Sequence, residues 1–322
     1  MTKKKGKIIK NVILIVVVYA LITILLKGGM LNRQYRSLLV PIGVNIMLAV
    51  SLNLVTGFLG ELSLGHACFM SIGAYTSSLT SIYLVHSLPA PIGFAISLLV
   101  GGIVAAVFGL LIGIPVLRLN GDYLAIVTLA FGEIVKSVIN VIGITGGAKG
   151  LSKIPLRSDY NNYTLVFILT VLTIVFIVNF VHSRDGRAIT AIRDNEIATE
   201  SIGIKVSTYK IKAFVIAAFF AGVAGCVYAH NVGIIKPQTF DYNKSIEILV
   251  IVVLGGMGSV TGSVIAAIVL TILPEFLRGA DNLRMLLYAV VLILIMIFNH
   301  SKIKEGLLNN KTTRKLLGKG EV

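Results

Sequence analysis

What most narrows the folds open to this chain is a recurring pattern: apolar runs near twenty residues long, separated by short polar segments. A helix needs about 20 apolar residues to cross ~30 Å of hydrocarbon. Runs of that kind lie at 11–26, 38–56, 63–84, 91–117, 123–142, 163–181, 213–229 and 285–299. A further block, 245–277, is too long for one crossing and is interrupted by GGMGSVTGS, so it is split there. The expectation is an all-α integral membrane protein of about ten transmembrane helices. Composition agrees, with 56% hydrophobic and 13% charged residues, far from the balance of a soluble domain.

Charge placement tests the split. Lys and Arg cluster in the leader 1–10, at Arg118, in the 182–212 loop and in the tail 300–322. Positive-inside asymmetry then puts both termini and that loop in the cytoplasm, whereas one crossing over 245–277 would send the basic tail outside. A re-entrant hairpin preserves the same parity. Lys27, Arg33 and Arg36 run against the trend. The first apolar run follows a basic leader but is not followed by a small-x-small cleavage site, so it reads as a retained span. The domain plan is a leader 1–10, a membrane domain 11–299 and a tail 300–322. The net charge of +15 is explained by this orientation and not by nucleic acid, since no basic patch is interleaved with aromatics. Cys68 and Cys226 sit in apolar runs and read as small core residues.

Glycine is dense in GFLGELSLGHACFMSIG and VVLGGMGSVTGS. Either these segments are broken and line a pathway, or they pack helices closely. Polar residues within the spans are the other pointers. Glu133 and Lys136 lie three apart and share a helical face, so they pair; a structural pair facing the bundle interior is favoured over a substrate or proton site. His66 reads as a hydrogen-bonded packing histidine more readily than a titrating group, with Glu61 too far back to orient it. Ser63, Tyr123 and Thr128 offer hydroxyls to a polar solute or to a neighbouring helix. Together Ser63, His66, Tyr123, Thr128 and Glu133 are the translocation-path candidates.

The stretch 184–212, RDGRAITAIRDNEIATESIGIKVSTYKIK, interleaves acids and bases in an otherwise lipid-compatible sequence. Asp194 is placed to cap a short helix and Gly203 to end it. Ile189, Ile192 and Ile197 are spaced for one apolar stripe, with Arg193, Glu196 and Glu200 on the polar side. Mixed charge favours docking to protein over lying on a membrane surface. No G-x-x-x-x-G-K-[ST], H-E-x-x-H or G-x-S-x-G occurs, so no nucleotide site, metal site or hydrolytic centre is expected in this chain.

The segments NLVTGFLGELSLGHACFMSIGAY, LNGDYLAIVTLAFGEIV, ITGGAKGL, GRAITAIRDNEIATESIGI and FDYNKSIEILVIVVLGGMGSVTGSVIAA, in that order, resemble the LivM-type permease subunits of branched-chain amino acid ABC transporters. The resemblance covers residues 40–300. It implies the fold of vitamin B12-importer-like (type II ABC importer) permeases and import of branched-chain amino acids. It also implies pairing with a LivH-type permease, two cytoplasmic ATPases carrying ATP and Mg, and an extracytoplasmic solute-binding protein. Within the charged stretch, NEIATESIGI resembles the coupling motif, which points to Arg193, Asp194, Glu196, Ala198, Glu200 and Gly203 as contacts to the ATPase. Ala148 and Lys149 depart from the Pro-Asn common after TGG, and Ser263 from a common proline. Urea or nucleoside import by a related ABC system, and ion-coupled secondary transport through Glu133, are the competing readings.

Overall fold

A computed structural model describes residues 33–85, 87, 89–119, 121–158 and 162–277, together with 13, 15–24, 26, 289, 290 and 293. The leader 1–10, the tail 300–322 and most of the run 285–299 lie outside the described residues.

The helices are α1 (Ile15–Ile24), α2 (Arg33–Asn53), α3 (His66–Leu84), α4 (Ala90–Val116), α5 (Asp122–Val141), α6 (Tyr163–Val181), α7 (Arg184–Asp194), α8 (Glu196–Ser201), α9 (Val206–Val232), α10 (Tyr242–Gly255) and α11 (Val260–Phe276). Among the described residues, five stretches are long and apolar enough to cross a membrane: Tyr35–Leu59, Ala90–Val116, Asp122–Val141, Tyr163–Val181 and Val206–Val232. Helix starts follow local chemistry. Pro89 and Pro91 flank the first residue of α4, where missing amide hydrogens cost nothing. Ser183, Asn195, Asp241 and Ser259 cap α7, α8, α10 and α11, each accepting from an amide three residues on.

The span predicted at 213–229 extends back to Val206, so the last quarter of the charged stretch, residues 206–212, is the start of a 27-residue helix, about 40 Å long. The block 245–277 breaks at Gly256–Ser259 into α10 and α11. With 14 residues, α10 is about 21 Å long, short of a ~30 Å crossing.

The packing has two groups. In one, α3, α4 and α9 lie side by side; in the other, α2 contacts α6, α10 and α11, and α2 joins the groups by packing on α9. Accordingly α2 and α9 are mostly buried, while α4, α5 and α6 turn most of their surface outward. Glycine lets the first group close up: a Cβ on Gly73 of α3 would overlap the backbone of Gly222 in α9, and one on Gly222 would come to 2.5 Å from Ala105 Cβ in α4. This is the small-residue contact of helices in lipid, where close backbone approach replaces hydrophobic driving force. Cys68 and Cys226 are both buried and free. Outside the two groups, α5 runs along α3 and the short 3-10 turn Pro237–Phe240.

Candidate functional site

The site is built where α2 stops being an α-helix. After Asn53 the chain widens into a π-helical turn, Leu54–Leu59, closed by Gly60 at φ 85. Residues 60–65 then run without regular helix to His66 at the start of α3. A residue other than glycine at position 60 would be strained at that φ, and its Cβ would stand 2.7 Å from Arg193 Cγ.

Two polar nodes tie this break to the charged stretch. At the first, Arg193 Nη1 donates to the Gly57 carbonyl at 3.1 Å, and the same guanidinium holds Asp194 Oδ1 through Nε at 3.2 Å and Nη2 at 2.9 Å. Next to it, Asn53, fully buried, accepts from the Gly258 amide at 2.9 Å and donates to Ser263 Oγ at 3.0 Å. Three breaks in regular helix therefore meet: the π turn of α2, the α10–α11 turn, and the junction of α7 with α8. The departure from the family pattern at Ser263 has a local use, since its hydroxyl receives the Asn53 amide and donates to the Ser259 carbonyl at 3.1 Å.

At the second node, Lys210 in the second turn of α9 bridges two carboxylates. Its Nζ lies 2.6 Å from Glu61 Oε1 and 3.0 Å from Glu196 Oε2, and its side chain is 2% exposed. Glu61 belongs to the irregular segment after the π turn, Glu196 to the first residue of α8. A lysine so buried is tolerated only when it is paired and hydrogen-bonded.

The coupling candidates fall into distinct places. Arg193 and Asp194 close α7, Glu196 and Ala198 open α8, and Glu200 lies on its exposed side. Gly203, at φ 86, ends the turn after α8 with open space about its Cβ. The helix cap is Asn195, not Asp194: Asn195 Oδ1 accepts from the Ala198 amide at 3.0 Å, while the Asp194 carboxylate is occupied by Arg193. The single apolar stripe expected from Ile189, Ile192 and Ile197 does not form. Ile189 and Ile192 are buried under α7, whereas the break at Asn195 turns Ile197 outward, where it is 80% exposed beside Ile202 at 75%.

The path candidates separate as well. His66 is buried, its Nε2 2.9 Å from Ser51 Oγ of α2. Thr128 is buried, accepting from the Leu64 amide at 3.0 Å and donating to the Ala125 carbonyl at 3.0 Å, so it pins α5 to the irregular segment. Ser63 lies in that same segment with a buried hydroxyl that has no hydrogen-bond partner. Tyr123 is 71% exposed on α5. Glu133 and Lys136 pair at 2.5 Å, both partly exposed on α5 and not in the bundle interior. The helix turns that pair outward because Leu124, Ala125, Thr128 and Ile139 form its buried face. Asn53, Glu61 and Lys210 escaped the reading of the sequence as site residues. The available signal was a lone amide and a lone acid within a glycine-broken apolar block, and a basic residue inside what proves to be helix.

Residues 35–297 match the family described as branched-chain amino acid transport system / permease component. The chain is 38% identical to the high-affinity branched-chain amino acid transport system permease protein LivM of Escherichia coli K12, over 79% of this chain and 66% of that protein. It is 37% identical, over the same shares, to the LivM protein of Salmonella typhimurium. The ribose import permease protein RbsC of Escherichia coli K12 is 25% identical over 91% of this chain and 94% of its own length. The chain thus spans about two thirds of the length of the LivM relatives. No solved structure matches it. With apolar helices long enough to cross a bilayer and the family matched along most of its length, the chain is a multi-pass membrane protein that belongs to the branched-chain amino acid transport permease family.

Proposed function

We propose that the chain is the permease subunit of an ABC importer that moves branched-chain amino acids across the cytoplasmic membrane, driven by ATP hydrolysis on partner subunits. The observation that carries this reading is the short helix α8, which with the residue after it exposes Ile197 and Ile202, while Glu196 pairs with Lys210 of α9 and the neighbouring Arg193 reaches the broken end of α2. Isoleucines exposed on and beside a six-residue helix are costly in water, the acids and bases around them suit lipid poorly, and the combination fits a cleft on a soluble partner. The names of the LivM relatives support the cargo.

On this reading α7 and α8 face the cytoplasm, both termini lie on that side, and the complete bundle has ten helices in the vitamin B12-importer-like arrangement. A second, LivH-type permease covers the outward face of α5, where Tyr123 and the Glu133–Lys136 pair lie. Two ATPases bind ATP and Mg and grip α8 from below, and an extracytoplasmic binding protein delivers solute. Closure of the ATPase dimer pulls on α8, and the two nodes carry that displacement into the π turn of α2 and the segment bearing Ser63.

The test is reconstitution of the assembled importer in liposomes with the binding protein outside and ATP within. Leucine-stimulated ATP hydrolysis and leucine uptake are expected together. Uptake that persists without ATP and follows an ion gradient would overturn the reading, and uptake of ribose in place of leucine would overturn the cargo.

A further inference from the structure

We infer that Lys210 is a positioning residue for transmission: its ammonium is the link through which α8 moves the irregular segment 60–65. The inference rests on the ABC-permease reading and adds to it the identity of the mechanical contact.

The geometry sets the two legs of the link apart. Between Lys210 and Glu61 the distance is 2.6 Å and both side chains are sheltered, at 2% and 12% exposure. Between Lys210 and Glu196 it is 3.0 Å, and Glu196 is 43% exposed. Separating the sheltered pair would leave an uncompensated charge in a low-dielectric site, which is strongly unfavourable. Releasing Glu196 hands its carboxylate to water at little cost. The Glu61 leg is therefore the fixed one and the Glu196 leg the exchangeable one.

Each leg is attached to a different kind of element. Glu196 starts a helix of six residues that packs on α7 and α9 and is followed by a turn at Gly203. Glu61 sits between the π turn and α3, where its amide donates to the Val55 carbonyl at 3.1 Å and closes that turn. Two residues on is Ser63, whose buried hydroxyl has no partner, and three further is His66 against Ser51. A pull on α8 thus reaches, through one ammonium, a segment that has already left regular helix. Such segments have alternative backbone arrangements of similar energy, which rigid helices do not. Arg193 restrains the same turn through its bond to the Gly57 carbonyl, so the two nodes act as a fixed strut and a switchable one.

The experiment uses the assembled importer in liposomes and compares wild type with Lys210→Met, Lys210→Arg and Glu61→Gln. The readouts are copurification of the ATPase with the permease and the ratio of leucine transported to ATP hydrolysed. Lys210→Met and Glu61→Gln are expected to assemble and to lower that ratio about tenfold, within the usual range of coupling energies. Lys210→Arg is expected to recover most of it, a rescue that keeps the cation between the two carboxylates. Wild-type coupling in Lys210→Met or Glu61→Gln overturns the inference, as does a Lys210→Arg complex that assembles yet stays uncoupled. Failure of every variant to assemble also overturns it, because the triad would then serve the fold and not transmission. Absence of leucine-stimulated hydrolysis in the wild type instead refutes the ABC-permease reading, so the two failures are distinguishable.

Discussion

Arg193 and Gly57, separated by 136 positions in sequence, are joined by a single hydrogen bond of 3.1 Å from guanidinium to peptide carbonyl. That bond fastens the end of α7 to the point where α2 loses its regular helix, and the Asn53–Gly258 bond at 2.9 Å fastens the α10–α11 turn to the same place. The polar stretch is therefore joined to the interior of the bundle and does not hang free beside it.

Replacing Arg193 by alanine strips the Gly57 carbonyl of its charged donor. Loss of a hydrogen bond to a charged group is worth about 1.5–3 kcal/mol, so a drop in the thermal unfolding midpoint of the purified permease is expected. Lysine at the same position should recover less than half of it, because a point charge cannot serve Gly57 and Asp194 at once as the guanidinium fork does. Full recovery by lysine in a thermal melt would argue against the two-partner role.

Gly60→Ala should destabilise for two separable reasons. Left-handed backbone costs a residue with a Cβ about 1–2 kcal/mol, and that Cβ would stand 2.7 Å from Arg193 Cγ. Adding Arg193→Ala removes the second reason only. The double variant should therefore unfold at a higher temperature than additivity of the two single changes gives, and strict additivity would contradict the contact.

The Glu133–Lys136 pair gives an asymmetric expectation. Removing one partner leaves the other charge without its neighbour at 2.5 Å within an apolar span that turns most of its surface outward. Glu133→Gln alone should then lower stability more than E133Q/K136Q, since an unpaired charge in low dielectric is the dearer state. A double-mutant cycle on detergent-extracted protein reads this directly, and equal losses would place the pair in full contact with water.

Much of the fold could be read from the apolar runs, because a helix that crosses lipid must be long and apolar, and length and hydropathy are properties of the sequence alone. The ends were less legible. The start of α9 at Val206 was hidden because Lys210 and Lys212 look like loop residues until Glu61, Glu196 and Asp185 are brought to them from distant positions. The same holds for the site. A cap at Asp194 was reasonable from residue type, but Arg193 engages that carboxylate and leaves Asn195 to cap. The isoleucine stripe failed because periodicity assumes one continuous helix, and Asn195 with φ −160 breaks it. A break in helix occurs at Gly60 and a close helix contact at Gly73.

Gly222→Val tests that helix contact. Its Cβ alone would stand 2.5 Å from Ala105 and 2.9 Å from the Gly101 carbonyl, so α9 and α4 would have to separate. Overpacking of this kind costs about 1–3 kcal/mol or more, and a large fall in membrane-inserted, detergent-stable protein is expected. Wild-type yield and melting behaviour would show that α4 and α9 do not pack through this position.

The central claim, that α8 is the surface gripped by a cytoplasmic motor, is tested most directly by a thiol at Ile197. Ile197→Cys is introduced with Cys68→Ala and Cys226→Ala, and sealed vesicles of known orientation are treated with a membrane-impermeant maleimide. The account predicts labelling from the cytoplasmic face alone, blocked when the ATPase subunits are bound and restored when they are stripped away. Labelling from the external face, or labelling from the cytoplasmic face that bound ATPase leaves unchanged, would contradict it.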